Sequence, residues 1–141
     1  MADNRRRRLR RTIEYPSHVF KPEDLLRFVE LRPFTEGFTE LKLNDDDLLQ
    51  LQVMLMVNPK GSPVIKGTGG LRKFRFAPAR WRTGKSGAAR VGYVYLEEYG
   101  TILLVIIYAK QEKDEITPKE KKDIQSLIRR IKKEFASGVI R

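Results

Sequence analysis

Basic and apolar side chains alternate in the segment "GTGGLRKFRFAP", residues 67–78. Lys73 and Arg75 are two residues apart, so on a β-strand they lie on one face, about 7 Å from each other. That spacing is close to the distance between successive phosphates of a nucleic-acid strand. Phe74 and Phe76 take the opposite face, which we expect to pack beneath helices. The segment predicts a strand that presents two cations to a polyanion, although a solvated basic edge strand would show the same pattern.

Further cations and aromatic residues lie close to this strand. Arg90 opens the next predicted strand, and Tyr108 and Lys110 end the one after it. The strand itself and the loop at residues 78–87 add five candidate RNA-binding residues: Arg72, Arg80, Trp81, Arg82, Lys85. Cations bind the phosphates of single-stranded nucleic acid, and an exposed aromatic ring beside them stacks on its bases. Trp81 could equally well pack at the edge of the core.

The composition points to a polyanionic partner. The chain has 141 residues, a net charge of +11 and a sequence pI near 10.1. Six arginines and one aspartate within residues 1–11 contribute +5 of that charge, which leaves +6 for residues 12–141. Because the folded part is itself basic, nucleic acid is favoured over a membrane surface. One domain with a modest core fits this length.

Several classes of site and location are excluded by what the sequence lacks. Without cysteine, neither disulfides nor thiolate metal sites can form. The longest apolar run, residues 102–109, is too short to cross a bilayer, and no secretory signal is apparent. His18 is the only histidine and lies in the N-terminal segment, which excludes histidine-based catalytic pairs and His-rich metal sites. We expect a cytoplasmic protein that needs no cofactor and no metal.

Two motifs have simpler explanations than the chemistry they resemble. "TGKSG", residues 83–87, resembles the end of the phosphate-binding loop of nucleotide hydrolases, but the first glycine of that loop would fall at Ala79 and a strand follows instead of a helix. The three aspartates of residues 45–47 could suggest a metal site. They follow Asn44 and fill the first turn of a predicted helix, where the helix dipole favours negative charge, so we interpret them as capping residues.

Periodicity predicts four strands, at residues 27–34, 71–77, 89–96 and 101–109. The first ends at Pro33, and the last two are joined by a tight hairpin at "EEYG". The all-apolar strand 101–109 should be central and covered on both faces for most of its length.

Helical signals lie between and after these strands. Residues 34–43 form a helical turn, and a longer helix starts after Asn44 and ends at "NPKGSP". The last helix starts at Thr117 with a capping box to Glu120. Its packing stripe has i, i+3, i+4, i+7 spacing and comprises Ile124, Leu127, Ile128, Ile131, Phe135.

This order of elements predicts an α+β domain with an about four-stranded, mainly antiparallel sheet and helices packed on one face. Residues 1–26 are expected to form a flexible arginine-rich arm, because like charges repel and prolines interrupt the segment. Residues 27–136 form the domain, and residues 137–141 form a C-terminal tail.

Three segments together resemble the RelE/ParE superfamily of bacterial toxins, and within it the HigB-type branch of RelE-like toxins. They are "NPKGSPVIKGTGGLRKFRFA", "GKSGAARVGYVYL" and "ILLVIIYAKQEKDEITPKEK", in this order, and the resemblance spans residues 28–135. It implies a RelE-like fold and a metal-independent endoribonuclease that cuts mRNA in the A site of the 30S ribosomal subunit. It also implies a cognate antitoxin, a helix-turn-helix DNA-binding protein, as the inhibitory partner.

The resemblance also assigns catalytic positions. The paired basic residues of the second sheet strand fall on Lys73 and Arg75, the arginine opening the third strand on Arg90, and the basic position after the last strand on Lys110.

Two of the family's positions differ here and leave the acid–base pair open. The arginine just beyond the last strand is Gln111, and the tyrosine near the start of the last helix is Thr117. Tyr108, Tyr95 or Lys110 could substitute for them.

The remaining residues are compatible with RNA cleavage by the RNA's own 2′-hydroxyl. Arg75 and Arg90 can orient the phosphate and stabilise its added negative charge. A lysine among other cations loses its proton more easily, so Lys73 and Lys110 are candidates for the base or the acid.

Two other functions would fit the same fold: a ParE-like toxin that inhibits DNA gyrase, and a non-catalytic RNA- or ribosome-binding protein. Outward cations of the last helix would contact ribosomal RNA; they are Lys121, Arg129, Lys132, Lys133. An acidic antitoxin segment could cover the basic cluster or pack on the outer helices, and we favour the helices because they offer more area.

Overall fold

The computed structural model describes residues 25–81, 87–110 and 115–139. Its elements follow the chain in this order: β1 (Arg27–Glu30), α1 (Arg32–Glu40), α2 (Asp45–Val57), β2 (Arg72–Phe76), β3 (Ala89–Leu96), β4 (Thr101–Ala109), α3 (Pro118–Ala136). The predicted bounds of β3 and β4 and the start of α3 are confirmed. The arm proposed for residues 1–26 lies outside the described residues up to position 24, so its conformation stays a prediction.

The four strands form one mixed sheet in the order β1-β4-β3-β2. β4 pairs antiparallel with β3 and parallel with β1, and β2 pairs antiparallel with β3. The turn at residues 97–100 closes the β3–β4 hairpin, with Gly100 in the left-handed conformation that glycine adopts without strain. The predicted α+β class, with its mainly antiparallel sheet of four strands, is confirmed.

Two buried clusters pack against the sheet and are built from alternate strand residues. The first joins α1 and α2 to side chains such as Phe76, Val91 and Ile102. The second joins α3 to side chains such as Leu71 and Leu103. Neighbouring residues of a strand point to opposite faces, so α1 and α2 cover one face and α3 contributes a layer on the other. The prediction that β4 is central and covered on both faces is therefore confirmed.

Caps fix where the helices begin. Asn44 and Asp47 exchange side-chain and backbone hydrogen bonds at the start of α2, and Thr117 and Glu120 do the same at the start of α3. The N-cap at Asn44 and the capping box of Thr117 with Glu120 were predicted from the sequence, whereas the return hydrogen bond that the Asn44 N–H donates to Asp47 was not. The helical turn predicted at residues 34–43 is a nine-residue helix, α1, that starts two residues earlier, and Pro33 suits its first turn. The first strand, predicted to span residues 27–34, therefore ends already at Glu30. Among the described residues, no helix is both long and apolar enough to cross a membrane.

Candidate functional site

Three of the predicted catalytic residues lie side by side across the sheet. Arg75 of β2 is directly opposite Arg90 of β3, and Arg90 is directly opposite Tyr108 of β4. Directly paired residues have Cβ atoms about 5 Å apart and share a face. Tyr108 belongs to the cluster beneath α3, so these side chains, which we call the basic row, lie on the α3 face.

Arg90 is the most unusual member of the basic row because it is a buried cation. Only 3% of its surface is exposed. One guanidinium nitrogen donates a hydrogen bond to the carbonyl of Ala88, at 2.7 Å. No carboxylate of the described residues forms an ion pair with it. Buried charges are usually paired, so a guanidinium held in this way is suited to bind an anion that arrives with a ligand.

Tyr108 presents a phenol beside that guanidinium. It is 8% exposed and packs among the apolar residues of the α3 cluster. Burial raises the pKa of Tyr108; the charge of Arg90 lowers it, while Glu120 and Glu115 raise it further, and the net pKa lies above the usual value for tyrosine. The phenol therefore keeps its proton at neutral pH. It can donate a hydrogen bond or a proton but is not prepared to act as a base.

The two lysines lie at different distances from the basic row. Lys73 is on the same strand face as Arg75, two residues earlier, and is half-buried. Its direct neighbour on β3 is Gly92, which has no side chain to compete for ligands. Lys110 follows β4 directly and is exposed. Lys73 thus extends the basic row towards β2, and Lys110 lies just past the end of β4.

Two other predicted site residues lie away from the basic row. Tyr95 is directly opposite Ile102 and packs against the cluster of α1 and α2, on the far face of the sheet from Arg90. Arg72 alternates with Lys73 and donates hydrogen bonds to the carbonyls of Lys60 and Ser62. These contacts give Arg72 a structural role, since it holds the turn that precedes β2.

Arg80 and Trp81 fold back onto the domain. Arg80 forms a bidentate contact with Asp47, with its closest N–O distance at 2.7 Å, and also donates to the carbonyl of Lys42. The Asp47 side chain is 1% exposed, whereas that of Arg80 is 47% exposed. Trp81 packs at the rim of the first cluster, which is the core-edge alternative left open by the sequence.

The charge balance at Asp47 follows from these contacts. Burial, the largest single effect, raises its pKa, but the hydrogen bonds from Arg80 and from the Asn44 N–H, together with the charge of Arg80, outweigh it, so the net pKa is lowered. The same contact raises the pKa of Arg80. Asp47 is therefore a helix cap and an anchor for the segment after β2.

Sequence reasoning missed one charged residue near the basic row. Glu120 is half-buried in the first turn of α3 and accepts a hydrogen bond from the Thr117 N–H at 2.9 Å. The negative charge of Glu120 is one of the causes that raise the pKa of Tyr108. A signal was available, because Glu120 is four residues before Ile124 and so shares the packing stripe of α3.

The predicted RNA-binding residues Arg82 and Lys85 lie outside the described residues, and so do Gln111 and His18. Thr117 is described and serves as the N-cap of α3. No known protein-family model matches the chain.

Proposed function

We propose that this protein is a RelE-like endoribonuclease that cuts mRNA on the ribosome, and that the basic row binds the scissile phosphate. The observation that carries the proposal is Arg90, a buried guanidinium beside Arg75 that has no carboxylate partner among the described residues. Two guanidinium groups on neighbouring strands match the oxygens of one phosphate, because each presents donors in a planar fork. The resemblance of the sequence to HigB-type toxins agrees with this choice of substrate.

The reaction needs only groups that RNA and this chain supply. The ribose 2′-oxygen attacks the adjacent phosphorus, the bond from phosphorus to the 5′-oxygen breaks, and a 2′,3′-cyclic phosphate and a 5′-hydroxyl result. Arg75 and Arg90 would stabilise the negative charge that builds on the phosphoryl oxygens as the 2′-oxygen attacks. One proton must leave the 2′-hydroxyl, and one must reach the departing 5′-oxygen.

Tyr108 suits the second of these proton transfers. A tyrosine phenol is protonated at neutral pH, the raised pKa of Tyr108 leaves it so, and Tyr108 is directly opposite Arg90 on the neighbouring strand. A donor in this position would protonate the 5′-oxygen as it leaves. Lys73, which shares the face of Arg75, is the candidate to take the 2′ proton, and Lys110 is the alternative.

The wider function follows from the same proposal. An enzyme of this class acts in the cytoplasm, in the A site of the 30S subunit, and a cognate antitoxin restrains it. We expect that antitoxin to be a helix-turn-helix DNA-binding protein, as in the toxins that the sequence resembles.

The test is cleavage of mRNA on purified translating ribosomes, mapped by primer extension. We expect discrete cuts with the wild-type protein. Arg75→Ala should remove them, and Tyr108→Phe should slow them by about 10²–10⁴-fold, the usual contribution of a general acid. Arg32→Ala is the matched control, since it removes the same charge from an exposed pair on α1.

The outcomes separate the proposal from its alternatives. Intact message together with DNA breaks in growing cells would indicate a gyrase inhibitor. Ribosome binding without cuts would indicate a non-catalytic RNA-binding protein. A Tyr108→Phe variant as active as the wild type would remove Tyr108 from the mechanism while leaving the phosphate site in place.

A further inference from the structure

β2 is an edge strand whose outer side is covered only in part by the residues that the structure describes. The segment before it folds back so that Ile65 N–H donates to the Leu71 carbonyl at 2.7 Å and Lys73 N–H donates to the Pro63 carbonyl at 3.1 Å. The cover ends at Pro63, because the preceding chain turns away and its carbonyls at residues 60 and 62 are held by Arg72. The second half of β2 extends past this cover.

Strand geometry identifies the backbone groups that this leaves open. The N–H and C=O of one residue in an antiparallel strand point to the same side, and successive residues alternate. Leu71 and Lys73 bond outwards, so Arg75 also points outwards, while Phe74 points towards β3. The carbonyl of Lys73 and both backbone groups of Arg75 form the open edge. Within the described ranges these groups make no hydrogen bond, and Arg75 is exposed.

Side chains beside the open edge define what could pair with it. Lys73 and Arg75 lie on one face, and the half-buried Phe74 lies on the other. An added strand places alternate side chains next to each of these faces. A complementary strand would therefore alternate acidic residues, beside the cations, with apolar residues, beside Phe74.

Other occupants fit less well. A second copy of this chain paired through its own β2 would bring Lys73 and Arg75 against the same cations, and like charges across a strand pair are destabilising. A nucleic-acid backbone can contact the two side chains but has no amide groups to continue a sheet.

We propose that the open edge of β2 binds an extended peptide of alternating acidic and apolar residues, supplied by a partner protein, as an added β-strand. Three backbone hydrogen bonds would position the peptide, and its carboxylates would contact Lys73 and Arg75. Because Arg75 also belongs to the basic row, a bound peptide would exclude an RNA phosphate. The proposal concerns binding alone and does not depend on RNA cleavage.

Amide hydrogen exchange followed by NMR tests the proposal with a synthetic probe, an acetylated and amidated hexapeptide of alternating valine and glutamate. The Arg75 amide should exchange fast in the free protein and about tenfold more slowly with saturating peptide. The Phe74 amide points towards β3, so its slow exchange should not change. The same peptide with N-methylated central residues has the same charge but cannot complete the ladder, and it should protect Arg75 little.

Charge reversal supplies a second test. Lys73→Glu/Arg75→Glu should prefer a valine–lysine hexapeptide, whereas Arg129→Glu/Arg130→Glu, which reverses the same charge on α3, should keep the preference for glutamate. Equal protection by the N-methylated peptide would show that charge alone binds the peptide and would overturn the proposal. The proposal would also be overturned if the Arg75 amide exchanged slowly without peptide at high protein concentration, because a second copy of the chain would then occupy the edge. Binding of a uridine oligonucleotide but not of the peptide would overturn it as well.

Discussion

At the scale of single residues, Arg90 carries a cost for the fold that a ligand could offset. Removing a cation from water costs several kcal/mol unless an anion compensates it, and here Arg90 donates a hydrogen bond to the backbone carbonyl of Ala88. Arg75, directly opposite, adds a like charge. Anion-binding sites often destabilise the free protein in this way, because the same clustered cations bind a phosphate favourably.

Replacing Arg90 with methionine should therefore separate stability from function. We expect Arg90→Met to lower the free energy of unfolding by no more than about 1 kcal/mol, and even to raise it, because a buried charge is exchanged for an apolar side chain of similar length. Inorganic phosphate should raise the melting temperature of the wild type but not that of Arg90→Met, since only the native site binds the anion. Scanning calorimetry in phosphate and in chloride at equal ionic strength measures both effects.

A large loss of stability in Arg90→Met would show instead that Arg90 is a structural residue. Equal stabilisation of both proteins by phosphate would place the anion elsewhere. Arg32→Met controls for the loss of charge, because Arg32 is an exposed residue on α1.

The sequence predicted part of this site for a simple reason. Side chains alternate along a strand, so Lys73 and Arg75 lie on one face, and the sequence of that strand is enough to predict this. The register that aligns Arg75, Arg90 and Tyr108 is a tertiary property, which periodicity within one strand does not give. The contact of Arg80 with Asp47 had no local signal, because the two residues are 33 positions apart.

At the scale of elements, local rules determined most of the fold. The helix starts at Asn44 and Thr117 were predictable because a capping box joins a side chain and a backbone group only three residues apart. α1 was predicted only as a helical turn, because its first residues follow a strand directly and lack a capping side chain. Its packing is settled by contact with the sheet, where Gly37 approaches the carbonyl of Ile107 so closely that a Cβ would overlap it.

The contact of Arg80 with Asp47 joins the segment after β2 to the start of α2, and it should make stability depend on pH in a specific way. Asp47 has a lowered pKa in the folded protein, so its contribution is fully present above its unfolded pKa, near the ordinary value of 3.8, and is lost as the pH falls through the lower folded value. Arg80→Ala removes the main groups that lower this pKa, while burial still raises it. We expect the variant to be less stable than the wild type at pH 7, with the difference narrowing below about pH 4.

Urea unfolding of both proteins between pH 7 and pH 3 measures this difference. Arg32→Ala is again the matched control, because it breaks an exposed pair with Glu36 that should contribute little at any pH. A gap between wild type and Arg80→Ala that stays constant over the range would mean that Asp47 is not coupled to Arg80.

At the scale of the whole molecule, the positive charge is spread over more than one surface. The basic row lies at one end of the α3 face, next to the first turn of α3. Arg129 and Lys133 are exposed further along the same helix, with Lys133 about 20 Å from Glu120 at the usual rise per residue. Charges at that distance cannot contact a phosphate bound at the basic row. They can increase the affinity for a large polyanion such as the ribosome.

Removing charge from the two surfaces should therefore change different kinetic constants. Arg129→Gln/Lys133→Gln should raise the KM for ribosome-bound mRNA several-fold and lower the salt dependence of ribosome binding by about one to two in logarithmic slope, because two phosphate contacts are lost. Its kcat should not change, since the residues do not touch the reacting phosphate. Arg75→Ala should lower kcat, because in the proposed reaction Arg75 stabilises the phosphate as it reacts. Initial cleavage rates over a range of ribosome concentrations, at two salt concentrations, distinguish these effects. A fall in kcat for the α3 variant would contradict the assignment of α3 to docking, and so would an unchanged KM.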